Sequence, residues 1–173
     1  MGSLFFMKEL INNFKAMIIA VLFTIFLMNF IFINAFIPTS SMEKTIMVGN
    51  RVFGARFLHN YARGDIVIFN DPDGSGNYLI KRVIGLPGDE ITIQNGVVCV
   101  NGSVLPEAYL AEMMEEEVDF SISIPEKGYF MMGDNRNNSF DARYWENPIV
   151  FENDIIGKAL ITYWPIAEFK ILN

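Results

Sequence analysis

The sequence predicts a mostly β protein, in which an antiparallel β-sheet domain follows a single transmembrane α-helix. Three observations predict this fold class. A long apolar run lies near the N-terminus, short apolar segments bounded by turn residues follow Pro38, and the length of 173 residues suits one ordinary domain with a small addition. Eight of the sixteen phenylalanines fall within the first 37 residues, so the apolar excess is concentrated in the N-terminal run.

The apolar run covers residues 16–37, which are 22 residues without a charge. As a helix it would measure roughly 33 Å, against about 30 Å for the hydrocarbon core of a bilayer. A cleavable signal peptide has a shorter apolar region, of about 7–15 residues, that ends at a small-x-small site. The run is longer than this and residues 33–35 match such a site poorly, so a retained anchor is favoured over a removed signal peptide.

Charge predicts the orientation of the chain and limits its partners. Lys8 and Lys15 precede the apolar run, and positive charge before a first span favours a cytoplasmic N-terminus. We therefore expect residues 1–15 in the cytoplasm and residues 38–173 as an extracytoplasmic domain at the plasma membrane. That domain has 11 Lys and Arg against 19 Asp and Glu, a net charge of −8, which disfavours binding to nucleic acid.

Cysteine and acidic residues give no indication of a metal or cofactor. The single cysteine, Cys99, excludes an intrachain disulfide and a cysteine-based metal cage. The acidic run Glu115-Glu116-Glu117 has no histidine or further carboxylates at matching spacing, so it is interpreted as a solvated flank. Neither a metal nor a cofactor is expected.

Alternating apolar residues and turn residues predict the strands of the domain. The pair Asn95-Gly96 separates two apolar segments, which is typical of a two-residue hairpin turn, and Asn101-Gly102 predicts a second turn. Residues 105–119 are predicted to form a short helix. The candidate strands are Arg51–Leu58, Asp65–Asn70, Tyr78–Ile84, Glu90–Gln94, Val97–Val100, Tyr129–Met132 and Ile155–Tyr163.

Histidine and cysteine provide no convincing catalytic group. His59 is the only histidine, and it lies in a polar turn without an evident partner for a Ser-His-Asp triad. Cys99 lies in an apolar strand, where a thiol usually behaves as a small hydrophobic side chain. A base of another type is therefore required for nucleophilic catalysis.

Lysine can be that base when burial lowers its pKa from ~10.4 toward ~7–8. Strand alternation places Lys81 between Leu79 and Val83 on one face of a strand. From this pattern alone, a solvent-exposed lysine on an edge strand is equally possible. The serine pair Ser40-Ser41 after the apolar run would, taken alone, usually be only polar loop.

The order of several segments decides between these interpretations. Together they resemble the boxes of the type I signal peptidases, membrane-bound serine proteases that remove signal peptides. The resemblance covers nearly the whole chain, and the single N-terminal span is similar to the compact Gram-positive type. The segments that carry it are IPTSSMEKTI at 37–46, RGDIVIF at 63–69, LIKRVIGLPGD at 79–89, GDNRNNSFDAR at 133–143, and residues 157–165.

The resemblance implies a Ser-Lys dyad, with Ser41 as the nucleophile and Lys81 as the general base. It also implies that the Thr39 hydroxyl joins the Ser41 backbone N–H in an oxyanion hole, and that Ser139 orients the lysine amine. The expected reaction is removal of signal peptides by cutting after small residues at the −3 and −1 positions. The expected partners are preproteins and membrane lipid.

Further residues are implied to support this site. The resemblance makes Asp141 and Arg143 an ion pair, and it places Asp134 and Asn135 in the loop that they shape. Three apolar residues flank the nucleophile and are expected to line pockets for small substrate side chains: Ile37, Met42 and Ile46.

Two positions depart from the family pattern. Lys44 stands where the family usually has proline, and Ala142 stands where it usually has serine. Lys44 is also a rival base, but the polar segment around it would keep its amine solvated and charged, so Lys81 is favoured. Relatives of the endoplasmic reticulum have histidine at the position of Lys81, which argues against that subgroup.

Two other classes of protein remain open. The SOS-response repressors share a Ser-Lys dyad on a similar β fold, but they cleave themselves in the cytoplasm and have no membrane anchor. A non-enzymatic, membrane-anchored β domain would leave Ser41, Lys81 and Ser139 together without a reason.

Overall fold

A long N-terminal helix precedes the sheets. The structure, a computed structural model, describes residues 2–115 and 118–172, so Glu116 and Glu117 of the acidic run lie outside the described residues. Helix α1 spans Gly2–Phe26 and continues as a π-helical turn over Leu27–Ile31. From Phe6 to Ile31 the helix is long and apolar enough to cross a membrane, and it is not packed inside the protein.

The described residues also form twelve strands and three short 3-10 helical turns, at Arg136–Asn138, Glu152–Asp154 and Ile166–Glu168, and the strands confirm the mostly antiparallel β fold. They are β1 Phe32–Phe36, β2 Arg51–Ala55, β3 Ile66–Asn70, β4 Tyr78–Gly85, β5 Glu90–Gln94, β6 Val97–Val100, β7 Ser103–Val104, β8 Phe120–Ser123, β9 Gly128–Met132, β10 Val150–Phe151, β11 Ile155–Trp164 and β12 Lys170–Ile171.

The strands form two sheets in which every pair is antiparallel. The larger sheet has the order β1-β2-β11-β3-β4-β9-β10, with β12 paired to β11, and the smaller sheet has the order β7-β6-β5-β8. Asn95 and Gly96, at φ +50° and +74°, form the predicted hairpin turn between β5 and β6. Two positive φ values are the mark of a type I′ turn, whose twist matches that of the strands.

The predicted end of the anchor, at residue 37, is wrong. The helix ends at Ile31, and β1 follows and pairs with β2 from Phe32 opposite Ala55 to Phe36 opposite Arg51. Ile33 and Ile37 are buried in the β domain. Hydropathy cannot distinguish the end of an apolar helix from an apolar strand, and here pairing with β2 satisfies the backbone while it buries both isoleucines.

The predicted helix at residues 105–119 is also wrong. The described residues between Val104 and Phe120 contain no helix. Leu105 and Tyr109 pack instead against the main hydrophobic core as parts of an irregular loop. All seven predicted strands are present, whereas β1, β7, β8, β10 and β12 were missed, four of them because they are only two to four residues long.

Two hydrophobic clusters hold the sheets. The main cluster joins both sheets through residues such as Phe69, Val83, Ile91 and Phe130. A second cluster lies under the segment between β1 and β2; its members are Ile37, Met42, Ile46, Val52, Ile66, Ala159 and Leu172. The segment that carries Ser41 is therefore attached to a small core of its own.

The close packing at the Asn95-Gly96 turn predicts an unequal response to two glycine substitutions. Gly74 and Gly96 both have positive φ, so alanine at either position adds backbone strain of about 1 kcal/mol. A Cβ on Gly96 would also lie 2.5 Å from the Met114 carbonyl oxygen, whereas a Cβ on Gly74 would contact nothing. Gly96→Ala should therefore lower the free energy of unfolding by about 3 kcal/mol, and Gly74→Ala by about 1 kcal/mol.

Urea unfolding of the full chain in detergent, followed by tryptophan fluorescence, measures both values. Equal losses from the two substitutions would contradict the packing described for this turn.

Candidate active site

The segment between β1 and β2 is a tightly bonded loop. The backbone N–H of Ile37 donates to Asn50 O at 3.0 Å, and Gly49 N–H donates to Ile37 O at 2.8 Å, which closes the loop at its base. Met42 and Ile46 are fully enclosed in the second hydrophobic cluster. These anchors fix Ser41 between them, with only 7% of the residue exposed.

The two adjacent serines lie in different surroundings. The Ser40 hydroxyl accepts a hydrogen bond from Asn138 Nδ2 at 2.7 Å. Asn135 holds the backbone of both serines, since its N–H donates to Ser41 O at 3.1 Å and its Nδ2 donates to Ser40 O at 3.1 Å. The loop of residues 133–143 thus holds the serine segment by hydrogen bonds to the carbonyl oxygens of Ser40 and Ser41 and to the Ser40 hydroxyl.

Ser41 and Lys81 line the same small cavity, of about 90 Å³, between the end of β1 and the start of β4. Thr39, which is exposed, lines it too. Of the three apolar residues predicted to form substrate pockets, only Ile37 reaches this cavity. Met42 and Ile46 face the second cluster, because the turn after Ser41 directs both side chains into the core.

Lys81 is buried on β4, with 4% of its surface exposed. Burial, the largest effect, lowers the pKa of Lys81 to about 8, because the charged ammonium loses its hydration. Asp141 and Asp134 raise this pKa, and Arg143 lowers it. An amine with a pKa near 8 is partly neutral at physiological pH, as a general base requires.

Ser139 lies beside the serine segment. Its hydroxyl is buried and has no hydrogen-bond partner among the described residues. Gly133 separates it from Ser41, and a Cβ on Gly133 would collide with both the Ser139 hydroxyl and the Ser41 carbonyl oxygen. Glycine at this position therefore permits the close approach of the two serines.

Asp141 and Arg143 form a buried ion pair. Arg143 Nε donates to Asp141 Oδ1 at 2.8 Å, and a terminal nitrogen of Arg143 donates to Asp141 Oδ2 at 2.9 Å. Asp141 also accepts the N–H of Gly133 at 2.9 Å, and Arg143 donates to Arg136 O at 2.9 Å. The pair thus ties together both ends of the loop that carries Ser139.

A second buried ion pair was missed from the sequence. Arg82 follows Lys81 on β4, and its Nε and terminal nitrogen donate to Asp134 at 2.8 and 2.6 Å. Thr45 also donates to Asp134, which links the pair to the serine segment. Strand alternation places Arg82 on the face of β4 opposite Lys81, and the apolar residues on both faces of this strand were the available signal that Arg82 is buried.

The remaining candidates lie elsewhere. His59 is exposed in its turn, and Cys99 is half-buried in the smaller sheet. Lys44 is exposed and has a φ of +69°, which the proline ring of the family pattern cannot adopt. Within residues 2–115 and 118–172, no group of three His, Cys, Asp or Glu side chains could hold a metal ion.

Comparisons with known proteins agree with the resemblance found in the sequence segments. Residues 10–164 match the family described as signal peptidase, peptidase S26. A probable signal peptidase I-2 of Synechocystis is 37% identical over 92% of this chain and 75% of its own length. Signal peptidase I S of Bacillus subtilis is 32% identical over 96% of this chain and 95% of its own length.

A solved structure of a signal peptidase I also matches this chain in its fold. The crystal structure of a signal peptidase I from Enterococcus faecalis matches with a TM-score of 0.50 and 31% identity, over 57% of this chain and 96% of that one. The resemblance inferred from the sequence segments is therefore confirmed. This chain belongs to the signal peptidase family, peptidase S26, and its function is that of a signal peptidase I.

Proposed function

We propose that the chain is a membrane-anchored serine endopeptidase that removes signal peptides from preproteins with a Ser41-Lys81 dyad. The observation that carries the proposal is the shared cavity, which contains a serine and a lysine whose pKa is lowered to about 8 by burial. No other lysine among the described residues lines this cavity. Lys44, the rival base, is exposed and donates instead to Ala111 O at 3.4 Å.

The reaction begins with neutral Lys81. Its amine takes the proton of the Ser41 hydroxyl as Ser41 Oγ attacks the scissile carbonyl. The Thr39 hydroxyl and the Ser41 backbone N–H donate to the oxyanion that forms. Lys81 then gives the proton to the leaving amine, and it later activates the water that hydrolyses the ester on Ser41.

Ser139 is assigned in this proposal as the residue that orients the lysine. Its hydroxyl is buried without a partner, and a buried polar group without a hydrogen bond costs about 1–3 kcal/mol. A hydrogen bond with the Lys81 amine during the reaction would satisfy the hydroxyl and direct the lone pair of the amine at Ser41.

The two ion pairs keep the site close to neutral. An unpaired Asp141 would stabilise the ammonium form of Lys81 and hold the base protonated. Arg143 balances this carboxylate at 2.8 Å, and Arg82 balances Asp134 at 2.6 Å. Burial therefore remains the main influence on the pKa of the lysine.

An extended substrate fits the cavity's position. β1 is the edge strand of the larger sheet, so a peptide can run beside it and donate and accept main-chain hydrogen bonds. Alternation then turns the side chains one and three residues before the cut toward the protein. A cavity of about 90 Å³ accepts only small side chains there.

We also propose that α1 anchors the enzyme in the plasma membrane, with its N-terminus in the cytoplasm and the β domain outside. Lys8 and Lys15 support this orientation. Ser41 follows the end of the helix, Ile31, by ten residues, so the cavity lies close to the membrane surface. A signal peptide in the same bilayer would present its cleavage site at a similar height, and confinement to a shared surface raises the effective concentration of both partners.

Substitution of the two serines should separate their roles. Ser41→Ala should lower kcat for preprotein cleavage by at least about 10⁴-fold, because the attacking oxygen is lost. Ser40→Ala removes only a hydroxyl that is bonded to Asn138, and its effect should be less than about tenfold. Cleavage assays on both variants measure these effects, and thermal melting confirms that the variants fold. An equal loss of activity in both variants would contradict the assignment of Ser41 as the nucleophile.

The pH dependence of kcat/KM should report Lys81. The ammonium form is inactive below its pKa and the amine is active above it, so activity should rise with pH through a midpoint near 8. His59→Ala should leave this midpoint unchanged, and Lys81→Arg should be inactive because arginine stays protonated. A midpoint near 6.5 that disappears in His59→Ala would point to histidine as the base.

Cleavage should depend on alternate positions of the substrate. Replacing alanine by leucine at the −1 or −3 position of a model preprotein should lower kcat/KM by about 10²-fold, because these side chains face the small cavity. The same replacement at −2 is the control and should have little effect, since that side chain points away. Efficient cleavage after leucine at the −1 position would contradict the proposed specificity for small side chains.

A further inference from the structure

A second cavity, of about 410 Å³, lies where the N-terminal helix meets the larger sheet. One wall is the end of the helix at Met28 and Asn29, and another is strand β1. Arg56, the residue after β2, provides the positive charge of this cavity. This cavity adjoins the active-site cavity, with which it shares Ala35, Phe36, Ile68 and Tyr78, but Arg56 lines only the second cavity and has no part in the mechanism proposed above.

The side chain of Arg56 has no partner within the described part of the chain. Its Nε is buried and makes no hydrogen bond there, and none of the ion pairs found there includes this guanidinium. A buried, charged N–H group without an acceptor is costly and rare in native proteins. An anion in the cavity would supply the missing acceptor.

The position of Arg56 identifies which anions are near. Its backbone N–H donates to Ile31 O at 2.9 Å, so the residue is attached to the last turn of the apolar helix. The span Phe6–Ile31 has 26 residues and measures ~39 Å as a helix, more than the hydrocarbon core of about 30 Å. Its C-terminal end therefore reaches the level of the lipid headgroups.

Exposed aromatic side chains mark the same level. Phe30, Phe36 and Phe57 are all exposed and lie on the segments next to the cavity or to Arg56. Tyr78, which lines the cavity, is exposed as well, and tyrosine is typical of the membrane–water interface, where its ring meets acyl chains and its hydroxyl meets water. Lipid phosphate groups are the anions concentrated at this depth.

We infer that the cavity at the helix–sheet junction binds the phosphate of an anionic phospholipid through the Arg56 guanidinium. The planar guanidinium can donate two parallel hydrogen bonds to phosphate oxygens. The acyl chains would lie along the apolar helix at Met28 and along Phe32. The inference rests on the proposed membrane anchoring, but it does not depend on the Ser41-Lys81 dyad.

Native mass spectrometry of the full chain in detergent tests this site with phosphatidylglycerol as the probe. Arg56→Gln should weaken phosphatidylglycerol binding about fivefold or more, the effect of one basic residue near a lipid surface. Arg51→Gln is the matched control, because Arg51 is an exposed arginine on the adjoining strand β2 that does not line the cavity. It should bind like the unaltered chain.

Two further probes identify the source of the phosphate. Diacylglycerol, which lacks the phosphate, should bind equally to the unaltered chain and to Arg56→Gln. Inorganic phosphate at millimolar concentration should not displace phosphatidylglycerol, because it lacks the acyl chains. Displacement by inorganic phosphate would overturn the lipid assignment in favour of a free-anion site.

Two controls separate this inference from the proposed function. Arg56→Lys keeps the charge but loses the buried Nε donor, so it should bind phosphatidylglycerol more weakly than the unaltered chain even if Arg56→Gln fails to fold. Cleavage of a short peptide in lipid-free detergent should be the same in Arg56→Gln as in the unaltered chain. Unchanged phosphatidylglycerol binding in both the Gln and the Lys variant would overturn the inference. A raised KM of Arg56→Gln for preprotein in lipid-free detergent would also overturn it, because Arg56 would then bind the substrate.

Discussion

The burial of the Lys81 amine is the constraint on which the rest of the site depends. Lowering its pKa from 10.5 to about 8 corresponds to roughly 3 kcal/mol against the charged form. Such a cost is tolerated only if neighbouring carboxylates do not restore the charge. Asp141 and Asp134 are each paired with an arginine, so the surroundings of the lysine carry little net charge, and the amine stays available as a base in our proposal.

The same ion pairs connect the strand that carries Lys81 to the serine segment. Asp141 binds the N–H of Gly133, which lies against Ser41 and Ser139. Asp134 contacts both Arg82 on β4 and Thr45, four residues after Ser41. Because Met42 and Ile46 anchor that segment in its own hydrophobic cluster, the loop 133–143 and the strand β4 hold the serine and the lysine as one unit. Positions fixed by packing and by buried polar contacts suit a site that must hold its geometry through catalysis.

Sequence patterns predicted those parts of the structure that depend on local residue order. Alternation identified β4 and Lys81, and two Asn-Gly pairs identified hairpin turns. Contacts between distant residues were not predictable in this way: Arg82 and Asp134 are 52 positions apart, and only the fold pairs them. The end of the apolar helix was misjudged because Ile33 suits a membrane helix and a buried strand equally well. The burial of the Met42 side chain was not predictable either, because Met42 lies in a loop, where residues follow no periodic pattern.

The central claim is that burial makes Lys81 the neutral partner of Ser41, and a direct titration tests it. The full chain with isotope-labelled lysine, in detergent, can be followed by NMR from pH 6 to 11, with Lys81→Arg identifying the resonance that disappears. The account predicts that the Lys81 amine titrates near pH 8. Titration of Lys81 near the ordinary lysine value of about 10.4 would contradict the account.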